Sequence, residues 1–256
     1  MTASLDLATD GGIATLVLNN PARLNAFTPD MLTQLDAHCA TLERDPAIRC
    51  VILRGEGDRA FCAGADIKAW APLSPFDFAR HWVRDGHRIF DRLARLSKPV
   101  IGVIHAHAFG GGLELAACSD IRVMAPGATL ALPESQVGIV PGWSGTQRLA
   151  RLIPEPMLKE MAVFGRMIGA DRALNCGFVA EVSDDPLATA QVIAAKLMTT
   201  SPRATEVAKY MIHAGANEDR AALIEALGAG MIGATDDKAE GVAAFAEKRK
   251  PAFPGT

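Results

Sequence analysis

The sequence predicts an α/β fold with a helical appendage, on three observations. Short β-branched runs alternate with amphipathic segments as far as Val182. Strands repeatedly end in a turn that feeds a helix, although no internal sequence repeat stands out. From Asp185 to the end nearly every window has helical spacing. With 256 residues the chain can bury a substantial core, and the division is expected at 1–195 for the α/β core and 196–256 for the helical region.

Taken in order, Gly12 to Asn19 (GIATLVLN) is an apolar strand broken by NNPAR. Met31, Leu32, Leu35, His38, Cys39 and Leu42 follow at helical spacing, with Thr28 as the cap ahead of Pro29 and Asp30. CVILRG, from Cys50, is a second strand leading into the glycine- and charge-rich GEGDRAFCAGADIKAW. FDFARHWVRDGHRIFDRLARL is expected to be one amphipathic helix, with Phe78, His81, Trp82, Ile89, Phe90 and Leu93 on its buried face and arginines opposite. Val100 to Ile104 is a buried strand; a turn, three contiguous glycines (Gly110, Gly111, Gly112) and an apolar helix come next. IRVMAPGATLALPE forms two short strands around Pro126 and Gly127. Beyond Trp143 the segments SGTQRLARLI, PEPMLKEMAVFG and DRALNCG are helical, the last stopping at Gly177. One more strand is expected near Phe178 to Val182.

Net charge is −3, with 21% charged residues, which gives no electrostatic case for nucleic acid or an anionic membrane as the main partner. The five cysteines (Cys39, Cys50, Cys62, Cys118, Cys176) are scattered without a CxxC pair, the pattern of a reducing compartment and of no structural zinc. MTASLDLATDGG lacks the basic and apolar regions of a secretory signal, and no run of 18 apolar residues is present, so a soluble cytoplasmic protein is expected.

Two carboxylates stand out. Glu114 sits among Leu113, Leu115, Ala116 and Ala117, where a helix offers no solvated face. Glu134 follows Pro133 and on its own reads more readily as a first-turn acid facing a helix dipole than as a catalyst. If the two meet, burial and repulsion raise at least one pKa, leaving an acid and a base at neutral pH. Glycines opening a helix, and the side-chain-poor turn Ala63-Gly64-Ala65, both expose backbone N–H groups that can approach a ligand. Other readings of the same stretches fit less well. The contiguous glycines lack GxGxxG spacing, Ser144 in GWSGT has Thr146 where a nucleophile elbow needs glycine, and His105 and His107 read as packed or solvent-facing.

LNNPARLNAF (Leu18 to Phe27), FCAGADIK (Phe61 to Lys68), AFGGGLELAACSDI (Ala108 to Ile121), LPESQVGIVPGWSGTQRL (Leu132 to Leu149) and DDKAEGVAAFAEKRKPAF (Asp236 to Phe253) together resemble the enoyl-CoA hydratase/isomerase, or crotonase, family. The resemblance spans nearly the whole chain in family order. It implies a spiral of ββα units with a C-terminal helical region that drives assembly into a trimer or a dimer of trimers. It also implies an oxyanion hole made by the N–H groups of Ala65 and Gly111, with Glu114 and Glu134 as the two acids that the hydratases keep. By the same carry-over, Ala63, Asp66, Ile67 and Lys68 meet the CoA moiety, and Leu24, Gly142 and Trp143 belong to the substrate site. Phe245 and Lys248 would reach the CoA from a neighbouring subunit; by pattern alone they read as helix packing and a solvated basic tail.

The implied reaction is syn hydration of a trans-2-enoyl-CoA, with no metal and no cofactor, coenzyme A being part of the substrate. Double-bond isomerisation or another enolate reaction on the same scaffold is the alternative, and a non-catalytic CoA-thioester-binding protein a more distant one. Some relatives bind RNA, against which the acidic balance speaks. Two departures concern the acyl group: bulky Trp143 stands where the short-chain hydratases usually have a small residue, and Leu132 precedes Pro133 where a polar residue can occur.

Overall fold

The structure, a computed structural model, describes residues 3–256. It comprises two compact units, one ending at Thr200 and the other running Ser201–Thr256. The first opens with a hairpin of β1 (Ser4–Asp10) and β2 (Ile13–Asn19), in register from Ser4 opposite Asn19 to Asp10 opposite Ile13. The sequence pattern missed β1. As an edge strand it buries only Leu5, so it lacks the two-sided apolar signal of its neighbours.

After α1 (Pro29–Arg44), capped as expected by the Thr28 hydroxyl, which accepts from the Met31 N–H at 3.2 Å, the chain alternates between two sheets. β3 (Cys50–Gly55), β5 (Val100–Ile104) and β7 (Ile121–Met124) extend the first sheet in parallel. β4 (Ala60–Cys62), β6 (His107–Phe109) and β8 (Thr129–Ala131) build the second, also in parallel. Each unit is therefore one strand in either sheet and then helix, a structural repeat that the sequence does not advertise. β9 (Ile168–Gly169) closes the second sheet antiparallel to β8, and β10 (Glu181–Val182) closes the first beside β7.

The helical connections are α2 (Ile67–Trp70), then α3 (Pro75–Asp77), a π-helical stretch over Phe78–Arg84, and α4 (Asp85–Ala94). This differs from the single amphipathic helix expected, and His81 lies exposed rather than on the buried face. A π turn holds more than four residues, so the widened stretch rotates His81 outward while Trp82 stays buried. The helix expected at the glycines is α5 (Gly111–Ala116). α6 (Gly145–Leu152), α7 (Glu155–Ala162), α8 (Ala170–Asn175) and α9 (Pro186–Leu197) complete the unit.

The division falls somewhat beyond the expected 195/196 because α9 continues to Leu197 and Arg49 holds the chain past it. The Arg49 guanidinium donates to the carbonyls of Met198 (2.9 Å), Leu197 (3.1 Å) and Thr200. The second unit consists of α10 (Pro202–Gly215), α11 (Arg220–Gly233) and α12 (Asp236–Glu247), with Ser201 and Thr235 as N-caps. Within it Met231, Ile232, Phe245 and Phe253 are exposed, and Arg249 pairs with Glu240 at 2.6 Å. Among the described residues, no helix is long and apolar enough to cross a membrane.

Candidate active site

Three site segments leave the C-terminal ends of β4, β6 and β8, neighbouring parallel strands of the second sheet, the usual place for a ligand in an open parallel sheet. The first is Ala63-Gly64-Ala65-Asp66. Phe27 donates its N–H to Gly64 O and accepts the Asp66 N–H on its own carbonyl, both at 2.8 Å. Phe27 thus pairs with the residues flanking Ala65, which turns the Ala65 N–H to the opposite side, where no described residue accepts it.

The segment is held from behind by a loop the sequence pattern undervalued. Leu24 and Asn25 both have positive φ, and Leu24 O accepts the Ala63 N–H at 2.9 Å. Asn25 is fully buried: its Oδ1 accepts the Asn20 N–H at 3.0 Å, and its Nδ2 donates to Glu56 O and Ala60 O at 2.9 Å. Asn is the non-glycine residue that best tolerates the left-handed region while bonding locally, the signal that could have singled it out.

The second segment begins at Gly110, whose φ of +53° and ψ of −126° suit only glycine. Its N–H donates to Ala131 O at 2.9 Å, and its carbonyl accepts from Leu113 and Glu114. This fold-back starts α5 at Gly111, so that the Gly111 N–H is a first-turn donor with no helical partner. The two turns touch: a Cβ built on Gly64 would lie 3.3 Å from Gly111 N.

The third segment is the 3₁₀ turn Pro133–Val137, carrying Glu134. Its carboxyl lies beside Gly110, where a Cβ would come within 2.8 Å of Glu134 Oε1; Oε2 is buried with no protein partner. Glu114, only 3% exposed, is held by a fourth element: its Oε1 accepts the N–H groups of Trp143 at 2.8 Å and Gly145 at 2.7 Å. Burial pushes the Glu114 carboxyl up to about 7, with the nearby Glu134 charge adding to it, against the two N–H donors and the Arg148 guanidinium. Burial likewise pushes Glu134 up to about 7.

A cavity of about 180 Å³ brings together Ala63, Ala65, Ile67, Gly111, Glu114, Glu134, Gly142 and Trp143. Leu24, Asp66 and Lys68 stand outside its lining: Leu24 anchors Ala63, Asp66 pairs with Arg23 at 2.5 Å and caps α2 through the Lys68 N–H, and the Lys68 side chain is exposed. Phe245 and Lys248 belong to the second unit, Phe245 88% exposed on α12 and Lys248 ending that helix at positive φ. Trp143 forms a locked wall. Its indole N–H donates to Trp82 O at 3.0 Å, its ring meets Trp82 and Phe90 at 5.3 and 5.0 Å between centroids, and a Cβ on Gly86 would strike Nε1 at 2.2 Å.

Fold and site together define an α/β protein in which one cavity sets two buried carboxyls against two side-chain-poor turns with unpaired N–H groups. The model of the enoyl-CoA hydratase/isomerase family matches residues 8–256, and the chain belongs to that family. It is 37% identical over 245 residues to the crotonyl-CoA hydratase of Syntrophomonas wolfei, covering 94% of each chain. It is 36% identical over 248 residues to the short-chain-enoyl-CoA hydratase of Clostridium acetobutylicum, covering 95% of each. Among solved structures, the enoyl-CoA hydratase of Bacillus anthracis superimposes with a TM-score of 0.81 at 33% identity, covering 98% of this chain and 99% of that one. The chain spans nearly the whole length of both relatives, and the α/β fold with two sheets and a C-terminal helical region is that of crotonase-family structures.

Proposed function

We propose that the chain is an enoyl-CoA hydratase, adding water syn across a trans-2-enoyl-CoA to give the 3-hydroxyacyl-CoA. The observation that carries this reading is the pair Glu114 and Glu134, both raised to about 7 and both lining the cavity that holds Ala65 and Gly111. The thioester oxygen sits between the N–H groups of Ala65 and Gly111, which bind the enolate-like transition state better than the ground-state carbonyl. Loss of one such donor raises the barrier by about 3 kcal/mol.

Glu114 and Glu134 hold one water between them. Glu114, as carboxylate, takes a proton from the water as its oxygen attacks C3, and Glu134, as carboxylic acid, delivers a proton to C2. A pair with matched raised values titrates as a unit, so near neutral pH the singly protonated form this chemistry needs is well populated. Ala63, Asp66, Ile67 and Lys68 form the CoA side of the substrate site, with Leu24 anchoring Ala63 behind it, and Gly142 and Trp143 form the acyl side. Phe245 and Lys248 reach the CoA from a neighbouring subunit of a trimer or a dimer of trimers.

The names of the crotonyl-CoA and short-chain relatives support a hydratase acting on short acyl groups. The test is a chain-length panel of trans-2-enoyl-CoA thioesters, followed by loss of the conjugated-thioester absorbance and identification of the product. Formation of 3-hydroxyacyl-CoA supports hydration. Conversion of 3-enoyl-CoA to 2-enoyl-CoA without net water addition would replace it with isomerisation, and CoA binding with no turnover would leave a binding protein.

A further inference from the structure

Glu114 owes its two hydrogen bonds to the turn Gly142-Trp143-Ser144-Gly145, and the middle of that turn is strained. Ser144 sits in the left-handed region at φ +82° and ψ 12°, a conformation serine rarely adopts, and it is 4% exposed. Its hydroxyl shares a hydrogen bond of 2.8 Å with His87 Nδ1. The other ring nitrogen, Nε2, lies 3.4 Å from Asp91 Oδ2, one helical turn further along α4. With Nε2 protonated towards that carboxylate, Nδ1 is left as an acceptor for the Ser144 hydroxyl. The preceding residue is held from the same stretch, by Trp143 Nε1 on Trp82 O and the indole face on Gly86.

We propose that His87 is a positioning residue for the hydration reaction: through Ser144 it locks the left-handed turn that aims the N–H groups of Trp143 and Gly145 at Glu114 Oε1. This rests on the hydratase reading of the site. With Oε1 occupied by two donors, Oε2 is the oxygen that takes the water. The groups facing Glu114 are Glu134 from the 3₁₀ turn, Arg148 from α6, which also pairs with Asp91, and the Cys118 thiol. His87 is thus tied to the acid by the backbone turn and by the Asp91–Arg148 pair.

His87 is 41% exposed, so His87→Ala leaves the core packed. Losing the hydroxyl's partner loosens the turn, and kcat should fall about tenfold with KM unchanged, as one buried hydrogen bond warrants. With fewer donors on its carboxylate, Glu114 should titrate about half a unit or more higher. Glycine takes positive φ without strain, so His87→Ala/Ser144→Gly should bring both quantities back towards the parent values. The Glu114 titration is read by NMR on protein labelled with ¹³C in glutamate carboxyls, assigned with Glu114→Gln, and needs no turnover. If the parent protein hydrates nothing, only the hydratase reading fails and the titration still decides the role of His87. A Glu114 titration unmoved in His87→Ala, or moved and not restored in the double variant, overturns the proposal.

Discussion

Glu114→Gln should make the protein more stable at pH 8 while sharply slowing the proposed hydration. Glu114 carries its proton up to about 7 in the fold, against 4.5 for an ordinary glutamate. The native state therefore binds more protons than the unfolded chain across that interval, and stability falls as pH rises from about 4.5 through about 7. At about 1.4 kcal/mol per pH unit the loss comes to roughly 3–4 kcal/mol once the carboxylate is fully ionised. A glutamine keeps the oxygen that accepts from Trp143 and Gly145 and carries no charge to desolvate. Thermal unfolding at matched protein concentration should give equal Tm values for parent and variant near pH 4.5 and a higher Tm for the variant at pH 8. Hydration should drop by about 10²- to 10⁴-fold, the contribution of a general base. A variant less stable than the parent at both pH values would refute the buried-charge account, and one that keeps near-full activity would refute the role of Glu114.

Glu134→Gln should remove the basic limb of the pH–rate profile. The parent kcat/KM is expected to be bell-shaped with a maximum near pH 7, and the variant to lose its decline on the basic side, read from initial rates over pH 5–9. Gly110→Ala places a methyl group 2.8 Å from Glu134 Oε1 on a backbone only glycine favours, so a stability loss of about 2 kcal/mol or more by denaturant titration and a large fall in kcat should accompany each other. Arg49→Ala strips the donors from the carbonyls of Leu197, Met198 and Thr200 and should cost about 1–3 kcal/mol in the same titration with kcat unchanged.

What was legible in the sequence was local. Thr28 before Pro29 announces a helix start because the cap bond spans three residues, and Cys50–Gly55 and Val100–Ile104 announce strands because both of their faces are buried. The site segments were legible for a related reason: small residues beside a strand end, and an acid amid apolar neighbours, are violations of ordinary pattern. The features that escaped depend on partners distant in sequence. Phe78 and Trp82 fit an ordinary helix as well as a π turn, and the carbonyl that Trp143 uses there lies 61 residues away along the chain. His87 stands among the arginines of an amphipathic helix and reads as solvent-facing until Ser144 arrives from the turn after Gly142. Ser144 itself sits where positive φ would have suggested glycine.

The split between main-chain and side-chain groups explains how the site tolerates two buried acids. The proposed oxyanion donors are backbone N–H groups, so they have no rotamers to order. Their aim is set by the parallel ladder that pairs Ala60 with His107 and Ala108 with Leu130. Side-chain identity at Ala65 and Gly111 matters through size, and any substitution other than proline displaces the donor rather than deleting it. Glu114 and Glu134 hang from the same strand ends one short segment later, and each is desolvated by the scaffold that fixes the donors. The free energy lost in raising both carboxyls is thus concentrated on a backbone frame already stabilised by the two sheets and their shared core, the arrangement in which strain at a functional site persists.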